Sequence, residues 1–414
     1  MAVKRISLEE FLTLAKTHPV LDVRSPGEYL HAHIPGAISL PLFSDEERKV
    51  VGTAYKQQSK QVAVKIGLKY FGVKMVEMVE TVEALFKGLQ ENTDNQTSKG
   101  SLKNSNTTKH TNPTQESLSK SNLNPLTNSS TEMPFTPRTV LVHCWRGGMR
   151  SAGVAWLLDL YGYQVYTLQG GYKAYRGWVL AQFEKEYPIQ ILGGYTGSGK
   201  TEVLKVMAQQ SASVIDLEGL AGHKGSAFGN MGLPPQPSQE HFENKLANAL
   251  FFAAQESTAP QTKDPSNHSA SSKTDPITPQ PIWMEDESQR IGTVNIPTVL
   301  YQQMRKKSVY FLEIPFDARL DYICLHYGKF PKEQLVNAVI RIKKRLGGLE
   351  TKTAINALVE DDVRAAFSVL LQYYDKQYGK GLERNRENPS SLVTRMEAPI
   401  VDDQANAALV QAQQ

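Results

Sequence analysis

Cysteine is scarce in this chain, because its 414 residues include only Cys144 and Cys324. So few thiols exclude a disulfide-stapled fold and an all-cysteine zinc site. They are typical of a reducing compartment, so we expect a cytoplasmic protein. Long apolar runs are also missing, since no stretch reaches the roughly 18 apolar residues of a membrane span. The amphipathic first 16 residues include acidic side chains, unlike a signal peptide. The net charge of +4 permits a nucleic-acid partner without requiring one.

Two stretches, residues 91–137 and 257–281, are rich in small polar residues, lysine and proline and poor in aromatic residues. Segments of this composition cannot bury enough apolar surface to offset the entropy lost on folding, so we predict that both are disordered. Each interrupts an alternation of strands and helices that resumes afterwards. Both are therefore expected to be insertions within domains.

The remaining sequence alternates short apolar runs with segments of helical periodicity. Strands are predicted at residues 20–24, 37–42, 139–143, 164–168, 189–194, 213–219, 282–287 and 308–314. Helices are predicted at residues 73–90 and 151–161, after residue 201, and from 317 to about 380. This alternation is typical of parallel α/β folds. We expect two α/β domains, a basic helical region and a flexible tail, over residues 1–180, 185–316, 317–390 and 391–414.

The first predicted binding loop is HCWRGGMRS, in which Cys144 follows a strand and precedes a helix. Backbone N–H groups in such a loop, together with the helix N-terminus, face a bound anion. Arg146 and Arg150 add positive charge that favours the thiolate, and Gly147 and Gly148 let the backbone curl tightly. We therefore predict a nucleophilic cysteine in an anion site, with both arginines as catalytic candidates and both glycines as binding candidates.

Two other segments resemble signature segments of the rhodanese family, namely LDVRSPGEYLHAHIPGAISLPL (21–42) and TLQGGYKAYRGW (167–178). The resemblance implies a rhodanese-like α/β fold for residues 1–180, in which Asp22 and Arg24 support the fold.

The loop spacing leaves two chemistries open. Cys-x5-Arg followed by serine matches a phosphatase signature, as in phosphatases built on the rhodanese fold. It also suits a sulfur-family transferase whose substrate is a phosphate-like oxyanion such as selenophosphate. The cysteine loop alone does not separate these alternatives.

A complete Walker A motif, GYTGSGKT, follows the apolar strand IQIL and opens a helix. It predicts a P-loop NTPase-like domain whose backbone amides wrap a diphosphate or triphosphate. The lysine would neutralise phosphate charge, and the threonine hydroxyl suits Mg²⁺. The candidate phosphate-binding residues are Gly194, Gly197, Ser198, Gly199, Lys200 and Thr201.

Acidic residues follow two later strands, at the sheet edge where parallel α/β folds bind ligands. Asp216 and Glu285 are candidates for holding Mg²⁺ through water, and Arg290 is a further binding candidate. Helix capping and solvated charge are the alternative roles. Mg²⁺ is therefore a candidate cofactor, with no protein-bound metal site assigned.

The helical region carries 16 Lys and Arg against 11 Asp and Glu over residues 301–390. Basic residues at 341–345 lie near Tyr373, Tyr374 and Tyr378 in the sequence. Such a combination suits contact with an RNA backbone and stacking on bases. A solvated helix face with tyrosines in the core is the alternative.

The combination of both loops resembles the tRNA 2-selenouridine synthase family. The most specific matches are HCWRGGMRS, GGYTGSGKT, DLEGLAGHKGSAFG, QPSQEHFENKL and EDESQRIG. Lys224, in the third of these segments, stands where that family has arginine, so bidentate phosphate contact is lost while the charge remains.

This resemblance implies a transferase that converts wobble 2-thiouridine of tRNA to 2-selenouridine. The sulfur would first be geranylated by geranyl diphosphate, and selenium from selenophosphate would then replace the S-geranyl group. The Walker A loop would bind geranyl diphosphate, and Cys144 would engage selenophosphate. No bound redox cofactor and no membrane partner are implied. The alternative is a Cys-x5-Arg phosphatase fused to a P-loop kinase-like domain.

Overall fold

The computed structural model describes residues 3–100, 138–257, 279–383 and 386–413. The chain divides into two compact units, Met1–Gly177 and Trp178–Gln414, and each is an α/β fold with a parallel sheet. Most of both predicted insertions, 101–137 and 258–278, lies outside the described residues. Among the described helices, none is long and apolar enough to cross a membrane.

The first unit contains a five-stranded sheet. Its strands are β1 (Lys4–Ile6), β2 (Val20–Asp22), β3 (Ile38–Ser39), β4 (Thr139–His143) and β5 (Gln164–Leu168). The order is β1-β5-β4-β2-β3, and all neighbouring strands are parallel. The helices are α1 (Leu8–Leu14), α2 (Pro26–His31), α3 (Asp45–Gln57), α4 (Lys60–Gly100), α5 (Met149–Leu160) and α6 (Gly171–Gln182). The central strand β4 is apolar and fully buried, and it delivers the chain to Cys144.

Two features of this unit differ from the sequence prediction. The helix expected at 73–90 begins at Lys60 and ends at Gly100, so its last turns enter the stretch predicted to be disordered. The strand β1 was not predicted, because two of its three residues are exposed and it is too short to show a period.

The second unit is built on the sheet order β12-β11-β6-β8-β7, again with parallel neighbours. Its strands are β6 (Ile189–Gly194), β7 (Ser213–Ile215), β8 (Ile282–Glu285), β9 (Arg290–Ile291), β10 (Val294–Asn295), β11 (Val309–Glu313) and β12 (Val393–Glu397). Strands β9 and β10 form a separate antiparallel hairpin. The first helices are α7 (Lys200–Gln209), α8 (Leu217–Ala221), α9 (Gln239–Ser257) and α10 (Thr298–Arg305).

The helical region beyond residue 315 packs around a core of its own. Its helices are α11 (Phe316–Tyr327), α12 (Lys332–Leu346), α13 (Gly348–Val359) and α14 (Val363–Glu383). Their buried apolar side chains form one cluster that also receives Phe228 and Met231 from the loop after α8. The helical region and the loop after α8 therefore share one hydrophobic core.

The prediction of a flexible tail at 391–414 is wrong. After α15 (Pro389–Leu392), β12 pairs in parallel with β11 at the edge of the sheet. The last helix, α16 (Asp403–Gln411), buries Ala407 and Val410 in the same core as α7. The small, polar composition of this segment hid an amphipathic helix that is stabilised only by packing on the sheet layer.

Candidate functional site

The first candidate site surrounds Cys144, which lies at the carboxyl end of β4 and is almost fully buried. Its Sγ atom is 3.2 Å from the hydroxyl oxygen of Ser151 on α5. Burial alone would raise the pKa of the thiol. Hydrogen bonds from Ser151 and the positive charge of Arg150 outweigh that effect and lower the pKa of Cys144 below the ordinary cysteine value. The thiolate, which is the nucleophilic form, is therefore favoured.

The cysteine loop is held against the turn that precedes α6. Gly147 has φ +63°, and a Cβ atom there would lie 2.5 Å from the carbonyl oxygen of Leu168. Gly171 has φ +59°, and its Cβ would lie 2.4 Å from the Cys144 carbonyl oxygen, which accepts a 2.8 Å hydrogen bond from Tyr172 N. The two glycines thus permit a backbone approach that any side chain would block.

The structure does not place both predicted arginines against the thiol. Arg150 donates a 2.9 Å hydrogen bond to Glu28 Oε2, and Glu28 also pairs with Arg48 at 2.9 Å. Arg146 is exposed and makes no polar contact with the described residues. Gly148 is the exposed N-cap of α5, with a φ of −105° that does not require glycine.

Asp22 and Arg24 support the fold beneath this loop. The Arg24 guanidinium donates to both Asp22 carboxylate oxygens, at 2.9 Å from Nε and 2.6 Å from Nη2. Its carbon Cζ lies 3.8 Å from the centre of the Tyr172 ring. Burial lowers the pKa of neighbouring His143 to about 4, so this imidazole is neutral at pH 7.

The second candidate site is the Walker A loop between β6 and α7. Gly197 has φ +84°, and a Cβ atom there would lie 2.8 Å from Ile323 Cδ1, so the loop lies directly against α11. Gly199 has φ +71° and leads into α7, whose N-terminus is suited to phosphate. Lys200 Nζ donates a 2.9 Å hydrogen bond to the Gly194 carbonyl oxygen. The Ser198 hydroxyl is buried without a hydrogen-bond partner among the described residues.

Carboxylates converge on the hydroxyl of Thr201. This oxygen lies 2.7 Å from Glu285 Oε1 and 3.1 Å from Glu218 Oε2. Burial, followed by the negative charge of Glu218, raises the pKa of Glu285 to about 8. Burial also raises the pKa of Glu287 well above its usual range. Because these carboxylates lie close together, protonation of one of them or the binding of a cation is favoured at this edge of the sheet.

A cavity of about 460 Å³ opens from the Walker A loop. Its polar end contains residues 196–202 together with Glu218, Lys224, Ser226, Asp286 and Glu287. Its apolar wall is formed by Phe228 from the loop after α8 and by residues of the helical region, namely Ile323, Tyr327, Phe367, Leu370, Leu371 and Tyr374. The cavity is therefore suited to a ligand with a phosphate at one end and hydrocarbon at the other.

Two of the predicted binding residues, Asp216 and Arg290, do not line this cavity. Asp216 follows β7 but caps α8, where its carboxylate accepts a 2.7 Å hydrogen bond from Gly219 N. The strand predicted at 213–219 ends at Ile215 for that reason. Arg290 is exposed on β9, donates to the Gly292 carbonyl oxygen at 2.9 Å, and does not line the cavity.

Sequence reasoning missed the side chains that join the helical region to the Walker A loop. Tyr378 Oη accepts a 3.3 Å hydrogen bond from Gly194 N and donates a 2.8 Å bond to Asp286 Oδ2. Asp286 also pairs with two buried arginines, Arg305 and Arg386, at 3.0 and 2.7 Å. Residues up to 184 positions apart meet in this network, so the spacing of residues along the sequence does not predict it.

The helical region also corrects part of the RNA-binding interpretation. Tyr378 and Tyr374 both line the cavity, and the Tyr374 hydroxyl accepts a 3.2 Å hydrogen bond from Ala227 N. Arg341 donates to the Ala227 carbonyl oxygen at 2.8 Å. These side chains therefore hold the loop after α8 over the cavity. The exposed basic side chains on α12 are Lys332, Arg341, Lys343, Lys344 and Arg345.

Comparison with known proteins bears on both sites. A family profile described as the tRNA 2-selenouridine synthase AAA domain matches residues 187–399, and a rhodanese-like domain profile matches residues 7–65. The chain is 29% identical to the tRNA 2-selenouridine synthase of Sulfurovum sp. (strain NBC37-1), with 89% of each chain covered. It is 31% identical to that of Salmonella heidelberg (strain SL476), covering 91% of this chain and 92% of the relative. For Shewanella piezotolerans the identity is 29%, with 94% and 95% covered.

Proposed function

Because the chain belongs to the tRNA 2-selenouridine synthase family, we propose that it is a transferase that converts wobble 2-thiouridine of tRNA to 2-selenouridine. The proposed route has two steps. Geranyl diphosphate first alkylates the sulfur, with release of diphosphate. The selenium of selenophosphate then attacks the same ring carbon, geranyl thiol leaves, and water cleaves the Se–P bond to release phosphate. The physical reason for two steps is that a thiocarbonyl sulfur is a poor leaving group, whereas an alkylated sulfur leaves readily.

The main support for this proposal is that one cavity is lined both by the Walker A loop and by an apolar wall. Geranyl diphosphate needs both, because its diphosphate requires N–H groups and positive charge while its ten-carbon chain requires hydrocarbon. Lys200 and Lys224 would bind the diphosphate, and Phe228 and Tyr327 would contact the chain. Cleavage of the bond between the first geranyl carbon and the diphosphate needs no nucleotide hydrolysis.

The residues around Thr201 also fit Mg²⁺ as a cofactor of this step. Mg²⁺ takes oxygen ligands and is usually bound by one or two carboxylates together with substrate phosphates. The Thr201 hydroxyl and the Glu285 carboxylate, 2.7 Å apart, would hold it at the sheet edge. A bound cation there would neutralise charge on the departing diphosphate.

The rhodanese-like unit would supply the selenium step. The thiolate-favouring environment of Cys144 and the glycines that shape its loop support the binding of selenophosphate there. The exposed basic residues of α12 support contact with the tRNA backbone, with the enzyme acting in the cytoplasm. The phosphatase alternative has less support, because the chain belongs to a family of tRNA-modifying synthases.

A nucleoside mass spectrum tests the proposal. The protein is incubated with 2-thiouridine tRNA, geranyl diphosphate and selenophosphate, alongside Cys144→Ala and Lys200→Ala. We expect 2-selenouridine from the wild type, S-geranyl-2-thiouridine from Cys144→Ala, and unchanged 2-thiouridine from Lys200→Ala. Untouched 2-thiouridine with the wild type, together with aryl phosphate hydrolysis that Cys144→Ser abolishes, would establish the phosphatase instead.

A further inference from the structure

Basic side chains are concentrated on a helical hairpin of the first unit. Residues 48–76, which include most of α3 and the first part of α4, contain seven lysines and arginines and no aspartate or glutamate. This segment alone carries a charge of +7, whereas the whole chain has a net charge of +4. We call residues 48–76 the basic hairpin. Its charged residues are Arg48, Lys49, Lys56, Lys60, Lys65, Lys69 and Lys74.

The packing of the two helices leaves most of these charges in solvent. Ala54 of α3 and Ala63 of α4 are buried. Lys74 forms an ion pair with Glu47 at the start of α3, so the two helices lie antiparallel along the whole of α3. Every basic residue of the hairpin except Lys74 is exposed. Within the part of the chain that the structure describes, none of the five exposed lysines has an ion-pair partner. The hairpin therefore presents positive charge that the protein does not compensate.

Beyond residue 76 the character of α4 changes. There the helix carries Glu77, Glu80 and Glu83, with Lys87 one turn further along. A helix face that meets only solvent usually mixes charges of both signs, as this second part of α4 does. The absence of acidic residues from the basic hairpin therefore has another explanation, and an anionic partner provides one.

The basic hairpin begins beside the cysteine loop. Glu28 Oε2 lies 2.9 Å from Arg48 Nε, on the first turn of α3, and 2.9 Å from Arg150 Nη1, on the first turn of α5. On α4, Phe71 belongs to the same buried cluster as Cys144. A Cβ atom added to Gly153 of α5 would lie 3.6 Å from Phe71 Cε1. Both helices of the hairpin are thus anchored next to the helix that follows Cys144, so a polyanion bound along them would lie close to the thiol.

The exposed apolar residues of α4 favour RNA over a membrane surface as this partner. Leu68, Val73 and Val76 are exposed and lie three to seven positions from Lys65 or Lys69, so they share a face with these lysines. Helices that bind membrane surfaces keep basic and apolar residues on opposite faces. The opposite face of α4 is buried in the core of the first unit. RNA phosphates, by contrast, bind lysines without requiring an apolar face.

We propose that the exposed lysines of the basic hairpin bind the sugar–phosphate backbone of tRNA beside the Cys144 loop. The identity of the RNA rests on the proposed function, because the charge of the hairpin by itself specifies only a polyanion. The surface lies in the first unit and is separate from the basic residues of α12.

Salt-dependent binding tests this inference without turnover. Fluorescence anisotropy measures the affinity of the full chain for end-labelled 2-thiouridine tRNA from about 50 to 200 mM KCl. Lys65→Gln combined with Lys69→Gln should weaken binding about 10-fold or more at the lowest salt concentration. The slope of log affinity against log salt should fall by about 0.7–0.9 for each lysine removed. Lys49→Gln combined with Lys56→Gln should have the same effect, so the test does not depend on the folding of one variant.

Lys87→Glu is the matched control. Lys87 lies on the same helix beyond the basic hairpin, and this single change lowers the net charge by two, as each double variant does. Because salt screens distant charges, Lys87→Glu should change the affinity by less than about 2-fold and leave the salt slope as it is in the wild type. A loss equal to that of the double variants would show that only net charge matters and would overturn the inference.

The outcomes separate this inference from the proposed function. Unchanged affinity and salt slope in both double variants would overturn the inference. So would double variants that lose binding to phosphatidylserine vesicles and keep binding to tRNA. If the double variants weaken tRNA binding but the wild type changes no nucleoside in the mass spectrum, the RNA surface is supported and the proposed reaction is refuted. Formation of 2-selenouridine by the double variants with an unchanged KM for tRNA would support the reaction and refute the surface.

Discussion

Arg319 and Asp375 form a bidentate ion pair, of 2.8 and 2.7 Å, that joins α11 to α14 beside the Walker A loop. The Arg319 side chain is 4% exposed and also donates to the carbonyl oxygens of Ile314 and Thr196. The pair therefore links the phosphate-binding loop to the helix that forms the apolar wall of its cavity.

Breaking this pair should weaken both stability and ligand binding. Asp375→Asn leaves the buried guanidinium without its counter-charge, which should cost about 2–4 kcal/mol in the free energy of unfolding. Urea unfolding followed by circular dichroism measures the loss, and calorimetry measures the accompanying fall in affinity for geranyl diphosphate. Glu313→Gln removes an exposed ion pair with Arg395 and should cost less than about 1 kcal/mol. An equal loss in the two variants would contradict the linking role.

Ser151 should control the reactivity of Cys144. Removing its hydroxyl in Ser151→Ala takes away a hydrogen bond that stabilises the thiolate, so the pKa of Cys144 should rise. The rate of alkylation by iodoacetamide is measured against pH, and its midpoint should move to higher pH in the variant. Both proteins carry Cys324→Ala, so that Cys144 is the only thiol present. An unmoved midpoint would show that the hydrogen bond does not set the thiol pKa.

The buried His143 should make the first unit sensitive to acid. Its folded pKa of about 4 lies below the ordinary value of 6.5, so between these values the unfolded chain binds a proton that the folded chain does not. Stability is thus lost as pH falls from about 6.5 to 4, by up to about 1.4 kcal/mol per pH unit. Calorimetry should show the wild-type Tm falling more steeply than that of His143→Gln, by roughly 3–6 °C per pH unit.

A surface histidine provides the control for this effect. His31 is exposed, so His31→Gln should leave the pH dependence of Tm as it is in the wild type. Parallel curves for the wild type and His143→Gln would mean that His143 does not contribute to the acid sensitivity.

Lys224 should act through its charge. Its ammonium group lines the polar end of the cavity, on a loop held by Tyr374 and Arg341. Lys224→Ala should weaken binding of geranyl diphosphate by about 10-fold or more, because a charged hydrogen bond to phosphate is lost. Lys224→Arg keeps the charge and can bind phosphate with two hydrogen bonds, so its affinity should equal or exceed that of the wild type. Comparable losses in both variants would rule out a charge-based role.

The insertion after α9 should be dispensable. The carbonyl and hydroxyl groups of Ser257 meet the Gln280 backbone across it. Gln280 N donates to Ser257 O at 3.1 Å, and Ser257 Oγ donates to Gln280 O at 2.5 Å. Because its two ends are joined, replacing residues 258–278 with a short Gly-Ser turn should change Tm by less than about 2 °C. Nucleoside yield should also be unchanged. A large fall in yield at unchanged Tm would assign the insertion a role in the reaction.

The parts of the fold that were predicted are those with a local signal. Strands β4, β5 and β6 lie where the short apolar-rich segments predicted them. Gly197 and Gly199 of the Walker A motif adopt positive φ values, which glycine permits. The C-terminal strand β12 and helix α16 were missed, because their polar sequences become stable only through packing on β11 and α7. Asp216 caps α8, a role that the sequence did not separate from ligand binding because both place the same residue type at a strand end.

The sequence by itself determined the cysteine loop and the Walker A loop. Each of these loops works through a backbone conformation that adjacent residues encode. It also determined the family, through those motifs. Tertiary structure alone decided what surrounds them. The contacts of Tyr378 with Gly194 and of Arg319 with Asp375 join residues that are distant in sequence, and the apolar wall is assembled from three separate segments. Such contacts depend on how helices pack on a sheet, which residue spacing along one chain does not encode.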